Sequence, residues 1–423
     1  MPNSDRFLIT GGRPLTGDVL ISGGKNTAVA IIPAVLLCDE PCIIENVPCI
    51  DDVIVLTEIL EYIGAKTEFL PNNKLYVDPT KVNKTEIPTS LSGKLRASYY
   101  FIGALLGKYN EAKISSIGGC EIGGRPIDQH IKGFQALGVE ICEDETGLSA
   151  KTAKLIPNDI YFDCVSVGAT INILLTAVMA EGTTVIHNAA KEPHIVDLAN
   201  FLNSMGAVIR GAGTDTIKIR GGNKLHATNY AIIPDQIETG TMMIAAAATH
   251  GDVYIHGCIP THMESLTAKL LEIGVRIQEF DDCIHVSPLS KHRAVNFTTQ
   301  VYPGFPTDLQ QPMTALLTQC NGISKVNETI YETRYNHVPY LESMGAITSQ
   351  NGRILTITGV QELRGAHVKA SDLRAGAALV IAGLMAKGVT EISDIHYIDR
   401  GYDHLEIKLK NLGADIQRIK VHE

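Results

Sequence analysis

A helix that runs into a glycine turn and then a strand recurs six times along this chain, and that recurrence restricts it to folds assembled from repeated α/β units. The copies read LTEILEYIGAKTEF, IKGFQALGVEIC, LANFLNSMGAVIRG, LTAKLLEIGVRIQE, VPYLESMGAITS and LEIKLKNLGADIQR. Their turn glycines are Gly64, Gly138, Gly206, Gly274, Gly345 and Gly413, at spacings of 74, 68, 68, 71 and 68 residues. Each glycine stands where a helix ends in a left-handed cap, with Leu, Ile or Met just before it and an alternating strand after it. A common helix stop recurs by chance at irregular intervals, whereas six near-even units of about 70 residues fill all 423 positions.

The other half of each unit is a helix of small residues followed by a strand, as in SVGATINILLTAVMAEGTTVIHNA, IETGTMMIAAAATHGDVYIHG and SDLRAGAALVIAGLMAKGVTEISDI. Such helices are apolar nearly all round and rich in Ala and Gly, so they belong in a core with close helix contacts, while the amphipathic helices cover an outer face. Each unit therefore reads strand, buried helix, strand, amphipathic helix, strand, strand, an α/β pattern. Six units divide most simply into two domains of three, with a ligand cleft between them. The chain opens with a strand pair, 6–10 and 18–22, ahead of the first buried helix. The expected boundaries are residues 1–21 plus 233–423 for one domain and 22–232 for the other, so that the first strand completes the discontinuous domain.

Composition narrows the partners. The net charge of -10 and the lack of any Lys/Arg block argue against nucleic acid or an anionic membrane, though a few arginines focused in one cleft still bind small anions. No apolar run reaches the roughly 20 residues of a membrane span, and residues 1–12 lack the apolar stretch of a secretory signal. Nine cysteines (Cys38, Cys42, Cys49, Cys120, Cys142, Cys164, Cys258, Cys283 and Cys320), an odd number with no Cys-x-x-Cys pair, favour free thiols in a reducing cytoplasm over a disulfide framework or a zinc site. The fourteen histidines form no HExxH or paired spacing. Gly24-Lys25-Asn26 lacks the remainder of a phosphate loop, and Gly211-Ala212-Gly213 lacks the third glycine of a dinucleotide fingerprint. No metal or cofactor is expected.

The segment 115–130, SSIGGCEIGGRPIDQH, surrounds Cys120 with Gly118, Gly119, Gly123 and Gly124. That density of glycine between a strand and a helix suggests an exposed loop in which Arg125 approaches the thiol and lowers its pKa, fitting it for service as nucleophile or acid; most cysteines, however, are inert small apolar residues. The starts of the buried helices carry Lys25, Arg96, Ser166, Glu238, Asp308 and Arg374 at equivalent places. Free N–H groups there attract anions, and Arg125, Arg334 and Arg400 add to the positive charge. For any single arginine a surface ion pair competes with ligand binding; recurrence at equivalent positions favours a shared site.

The motifs ISGGKN, LRASYY, GGCEIGGRPIDQHI, VSVGATINI, NAAKEPHIVD, PDQIETGT, FPTDLQQP, YETRYNHV, ASDLRAGA and IDRGY together resemble the enolpyruvyl transferase family, in its branch that acts on UDP-N-acetylglucosamine, from about Phe7 to Lys420. The resemblance implies a two-domain inside-out α/β barrel, three units per domain, and transfer of the carboxyvinyl group of phosphoenolpyruvate to the sugar 3-hydroxyl at the first committed step of peptidoglycan synthesis. It implies that Lys25, Arg125 and Arg400 hold the phosphate of phosphoenolpyruvate with Asn26 beside them, and that Arg334 and Arg374 face its carboxylate. Arg96, Arg125, Pro126, Ile127, Asp128, Gln129, Ser166, Val167, Gly168 and Ile330 would line the nucleotide sugar. Asp308 would take the proton of the 3-hydroxyl, and Cys120 would protonate the methylene carbon and form the adduct with fosfomycin or phosphoenolpyruvate. Some family members carry Lys where this chain has Cys164, so the resemblance does not extend to a side-chain contact from that position to the nucleotide. Glu192, Asp235 and Glu238 receive no role. The rival readings are 5-enolpyruvylshikimate-3-phosphate synthase, which lacks the cysteine loop, and a non-catalytic binder of the nucleotide sugar, which would have lost Cys120, Asp308 or Lys25.

Overall fold

The computed structural model describes residues 5–115, 126–144, 147–289 and 291–420. Among them the strands form six four-stranded sheets that share one pairing order. In the sheet nearest mid-chain, Asp159–Tyr161 runs parallel to Gly182–His187, which is antiparallel to Thr216–Gly221, which is antiparallel to the edge strand Val208–Arg210. A parallel pair needs a crossover, and the buried helix supplies it; the last two strands close as a hairpin.

The six buried helices are α1 (Lys25–Ala34), α2 (Tyr100–Tyr109), α3 (Val167–Ala177), α4 (Gln236–Ala248), α5 (Gln310–Leu317) and α6 (Leu373–Met385). Every residue of α6 is buried, so the small side chains expected there are what allow helix to meet helix. A Cβ on Gly103 of α2 would stand 2.6 Å from the backbone oxygen of Asn172 on α3, and one on Gly107 would stand 2.8 Å from that of Leu175. Most strands bury alternate residues, as at Val253 and Ile255, whereas residues 283–287 beside them are buried throughout. Helices inside and sheets outside make the inside-out α/β architecture. The outer helices end as their sequence requires: Gly64, Gly138, Gly206, Gly274, Gly345 and Gly413 all have φ between +80° and +108°.

Three sheets belong to each of two compact units, residues 5–22 with 234–420 and residues 23–115 with 126–233. The first has a core that includes Phe7, Ile9, Met313, Leu316 and Leu379; the second has its own, which includes Ile31, Leu105, Ile173, Phe201 and Ile217. The second unit is therefore an insertion between the strand Thr16–Leu20 and α4.

The two opening strands enter different sheets, and the second spans Thr16–Leu20 rather than the expected 18–22. Arg6–Thr10 lies between Val389–Ser393 and Asp415–Ile419, antiparallel to both, while Thr16–Leu20 runs parallel to Asp252–His256 in a different sheet. Each strand supplies the member that its sheet would otherwise lack.

Candidate active site

In the unit formed by residues 5–22 and 234–420, the chemistry gathers at the starts of α5 and α6. A short 3-10 turn, Thr307–Leu309, leads into α5 and carries Asp308. Arg374 is the second residue of α6, whose start is capped by Asp372: its Oδ1 accepts from the backbone N–H of Arg374 and Ala375 at 2.9 and 3.0 Å. Arg334 comes from the segment that follows the strand Ile323–Asn327.

Asp308 lies between the two arginines. Arg334 Nη2 approaches Oδ1 at 2.7 Å, and Arg374 donates to Oδ2 from Nη2 at 3.0 Å and Nε at 3.2 Å. Both arginines are buried, at 4% and 2% exposure, whereas Asp308 keeps 27% of its side chain exposed. Burial alone would push the Asp308 carboxyl up, but the charges of Arg334 and Arg374 more than offset it and hold the group far below the usual carboxylate range.

The guanidiniums have other supports. Arg334 Nη1 donates to Thr307 Oγ1 at 2.8 Å, and that hydroxyl donates to Glu328 Oε2 at 2.8 Å. Glu328 is fully buried and also accepts from Thr299 Oγ1 and from the N–H groups of Ile330 and Tyr331. Arg374 lies over the Tyr402 ring and Arg334 over the Tyr331 ring, each at 5.2 Å. The Tyr402 hydroxyl is in turn 2.9 Å from Thr241 Oγ1 on α4. Arg400, half-buried, follows the turn His396–Asp399.

Residues without an assigned role prove to be supports in the same unit. Asp235 caps α4, accepting from the N–H groups of Ile237 and Glu238 at 2.7 and 2.9 Å. Glu238, buried, pairs with Lys408 and accepts the Ser22 N–H at 2.9 Å, which ties down the strand end from which the chain leaves this unit.

In the unit of residues 23–115 and 126–233, Lys25 opens α1 and its Nζ is 2.7 Å from Asp52 Oδ2. Asn26 follows it in the first turn. The 3-10 turn Arg96–Tyr99 leads into α2, and Ser166 caps α3 by accepting from the Ala169 N–H at 3.3 Å. Pro126 and Ile127 precede the helix Asp128–Ala136. Gln129 fastens this start to the approach to α3: its Oε1 accepts the Asp163 N–H at 2.9 Å and its Nε2 donates to Asp128 Oδ2 at 2.8 Å. Cys164 is exposed beside them, its thiol pushed up by partial burial and by Asp128 and Asp163.

His130, buried, joins the proposed nucleotide-lining residues. Its Nδ1 is 2.9 Å from Asn172 Nδ2, and Asn172 Oδ1 accepts the Gly103 N–H at 2.9 Å. The amide must therefore donate to the ring, which leaves the imidazole proton on Nε2. A Cβ on Gly168 would fall 2.8 Å from that nitrogen, so glycine there is a packing requirement. Burial first, and the charge of Arg96 second, push His130 down to about 4, so the ring is neutral at pH 7.

The structure thus brings together Asp308, Arg334 and Arg374 in one unit, and Arg96, Gln129, His130 and the Ser166–Gly168 segment in the other. Cys120 and Arg125 lie outside the described residues. Sequence reasoning missed Asp52, His130, Thr307, Glu328 and Tyr402. Tyr402 sits two residues from Arg400 in the IDRGY motif, which is a usable signal, but nothing in spacing marks Glu328 or Asp52 as partners of a cation. Among the described residues no helix is long and apolar enough to cross a membrane.

A family model described as EPSP synthase (3-phosphoshikimate 1-carboxyvinyltransferase) matches residues 9–409. UDP-N-acetylglucosamine 1-carboxyvinyltransferase 3 of Caldanaerobacter subterraneus subsp. tengcongensis is 55% identical over 416 residues, 98% of this chain and 100% of its own. UDP-N-acetylglucosamine 1-carboxyvinyltransferase of Clostridium botulinum is 53% identical over 415 residues, again 98% of this chain and 100% of its own. Among solved structures, the enolpyruvyl transferase NikO of Streptomyces tendae matches with a TM-score of 0.88 at 27% identity, covering 100% of both chains.

Proposed function

This chain belongs to the EPSP synthase family of carboxyvinyltransferases, and from that membership we infer that it transfers the carboxyvinyl group of phosphoenolpyruvate to the 3-hydroxyl of UDP-N-acetylglucosamine and releases phosphate. The observation that carries the acceptor's identity is the 53–55% identity, over 98% of the chain, to relatives named for that reaction. The step is the first committed one of peptidoglycan synthesis, and the reading assigns it to the cytoplasm, where phosphoenolpyruvate and nucleotide sugars are made. The sister activity on shikimate-3-phosphate is not favoured, since the relatives at 53–55% identity are named for the nucleotide-sugar acceptor. Nor is a non-catalytic binder, since Lys25, Asp308 and Cys120 are all retained.

The chemistry is addition followed by elimination. Asp308 accepts the proton of the sugar hydroxyl as its oxygen bonds to C2 of phosphoenolpyruvate, and Cys120 gives a proton to C3, consuming the double bond. Loss of a proton from C3 to the Cys120 thiolate then restores the double bond as the C2–O bond to phosphate breaks, and the proton held by Asp308 leaves with the phosphate. Acid and base each contribute about 10²- to 10⁴-fold when properly placed. Arg334 and Arg374 are assigned the carboxylate; Lys25, Arg125 and Arg400, with Asn26, the phosphate, whose departing charge they stabilise. Planar arginine forks match carboxylate and phosphate geometry. Arg96, the 125–129 stretch, Ser166–Gly168 and Ile330 are assigned the nucleotide sugar.

Carbon NMR of the product tests the reading. With phosphoenolpyruvate labelled at C2 and C3 and UDP-N-acetylglucosamine as acceptor, vinyl-ether carbons coupled to the sugar are expected together with free phosphate; label that stays in phosphoenolpyruvate overturns it.

A further inference from the structure

Asp308 holds a position that an incoming carboxylate would suit. Two buried guanidiniums share this single carboxylate, and among the described residues its oxygens bond to nothing else. The other acidic groups nearby are committed elsewhere. Asp372 is spent on the α6 cap and on Gln311 Nε2, and Glu328 on two threonine hydroxyls and two backbone N–H groups. Donor capacity remains: Arg374 Nη1 and Arg334 Nε are buried and make no hydrogen bond among the described residues.

The three partners are also anchored unequally. Thr307 and the ring of Tyr331 hold Arg334, and Tyr402 holds Arg374, whether or not Asp308 is in place. Asp308 itself is the least buried of the trio, with 27% of its side chain exposed, and the two guanidiniums are its only partners among the described residues. Its departure alone would strand two buried cations, which is strongly unfavourable. A second carboxylate arriving as Asp308 leaves removes that penalty.

We infer that Asp308 is a stand-in anion: it occupies the two guanidiniums until the carboxylate of phosphoenolpyruvate takes its place, and the exchange frees it to meet the sugar hydroxyl. This rests on the reading above that gives Arg334 and Arg374 to the substrate carboxylate. The consequence is an ordering of events. Clamped by two cations, Asp308 has little affinity for a proton; released, it becomes a competent base, so hydroxyl deprotonation waits for the enolpyruvate that will capture the oxygen.

Phospholactate, which has the carboxylate and phosphate of phosphoenolpyruvate but no double bond, is the probe, titrated calorimetrically into the full-length chain. With its competitor removed, Asp308→Ala is expected to bind phospholactate at least about tenfold more tightly than the parent, and Arg374→Ala is expected to weaken binding by the parent. Asp308→Asn, which keeps the shape without the charge, reads the same effect should the alanine variant fail to fold. Equal or weaker binding by the folded Asp308 variants, with Arg374→Ala still weakening the parent, overturns the exchange and leaves the proposed function standing. If Arg374→Ala leaves phospholactate binding unchanged, the assignment of Arg374 to the carboxylate fails, and the exchange fails with it.

Discussion

Arg374 meets one oxygen of Asp308 through both Nε and Nη2, a two-pronged contact that the single ammonium of lysine cannot copy. Arg374→Lys keeps the charge and is nonetheless expected to lower kcat/KM by about a hundredfold or more, measured by phosphate release at saturating nucleotide sugar. The Asp308 carboxylate sits far below its ordinary range, so the stability it contributes is fully present above about pH 4 and is lost only as pH falls further. Asp308→Asn is therefore expected to lower Tm at neutral pH, by on the order of 3 kcal/mol of stability. The gap to the parent is expected to stay level from about pH 8 to 5; thermal melts showing it close across that window would contradict the assigned ion pairs. Sequence pattern marked Arg334, Arg374 and Asp308 as site residues. It could not show that they bond to one another, because the partners come from three segments that only the fold assembles.

At the level of elements, the six glycine turns were legible because each helix stop needs a left-handed residue, and only glycine adopts that conformation without strain. Their surroundings were not. Gly345 has φ +100° and open space where a Cβ would go, while at Gly64, φ +108°, a Cβ would meet the Lys81 backbone oxygen at 2.6 Å. Gly345→Ala is expected to cost about 1 kcal/mol, the conformational strain alone, and Gly64→Ala clearly more, as chemical denaturation of the two variants can establish. The small-residue helices were legible in the same way, as apolar on all sides. Gly103→Ala tests their packing: the 2.6 Å approach to Asn172 is to backbone, so α2 and α3 must part, at about 1–3 kcal/mol. The displacement would also disturb the Asn172–His130 bond, so a rise in KM for the nucleotide sugar is expected alongside the loss of stability.

Across the whole molecule, the repeat count told how many sheets to expect, but not which sheet each opening strand would join, since the choice depends on partners hundreds of residues away. The inserted unit begins and ends at one place: the Gly24 N–H donates to the Ile233 oxygen at 2.8 Å, while the Asp235 N–H donates to the Ser22 oxygen at 2.9 Å. With a core of its own and adjoining ends, residues 23–233 are expected to fold alone and melt cooperatively, as circular dichroism can follow; a non-cooperative melt would mean that its core depends on the rest of the chain. Cys120, the proposed proton donor, is marked by glycine density and family resemblance alone, since it lies outside the described residues.

Parallel phosphate-release assays decide the acceptor, with phosphoenolpyruvate and either UDP-N-acetylglucosamine or shikimate-3-phosphate supplied to the parent and to Cys120→Ala. Turnover by the parent with the nucleotide sugar alone, lost in the variant, is the predicted result; release driven by shikimate-3-phosphate, or by neither acceptor, would contradict it.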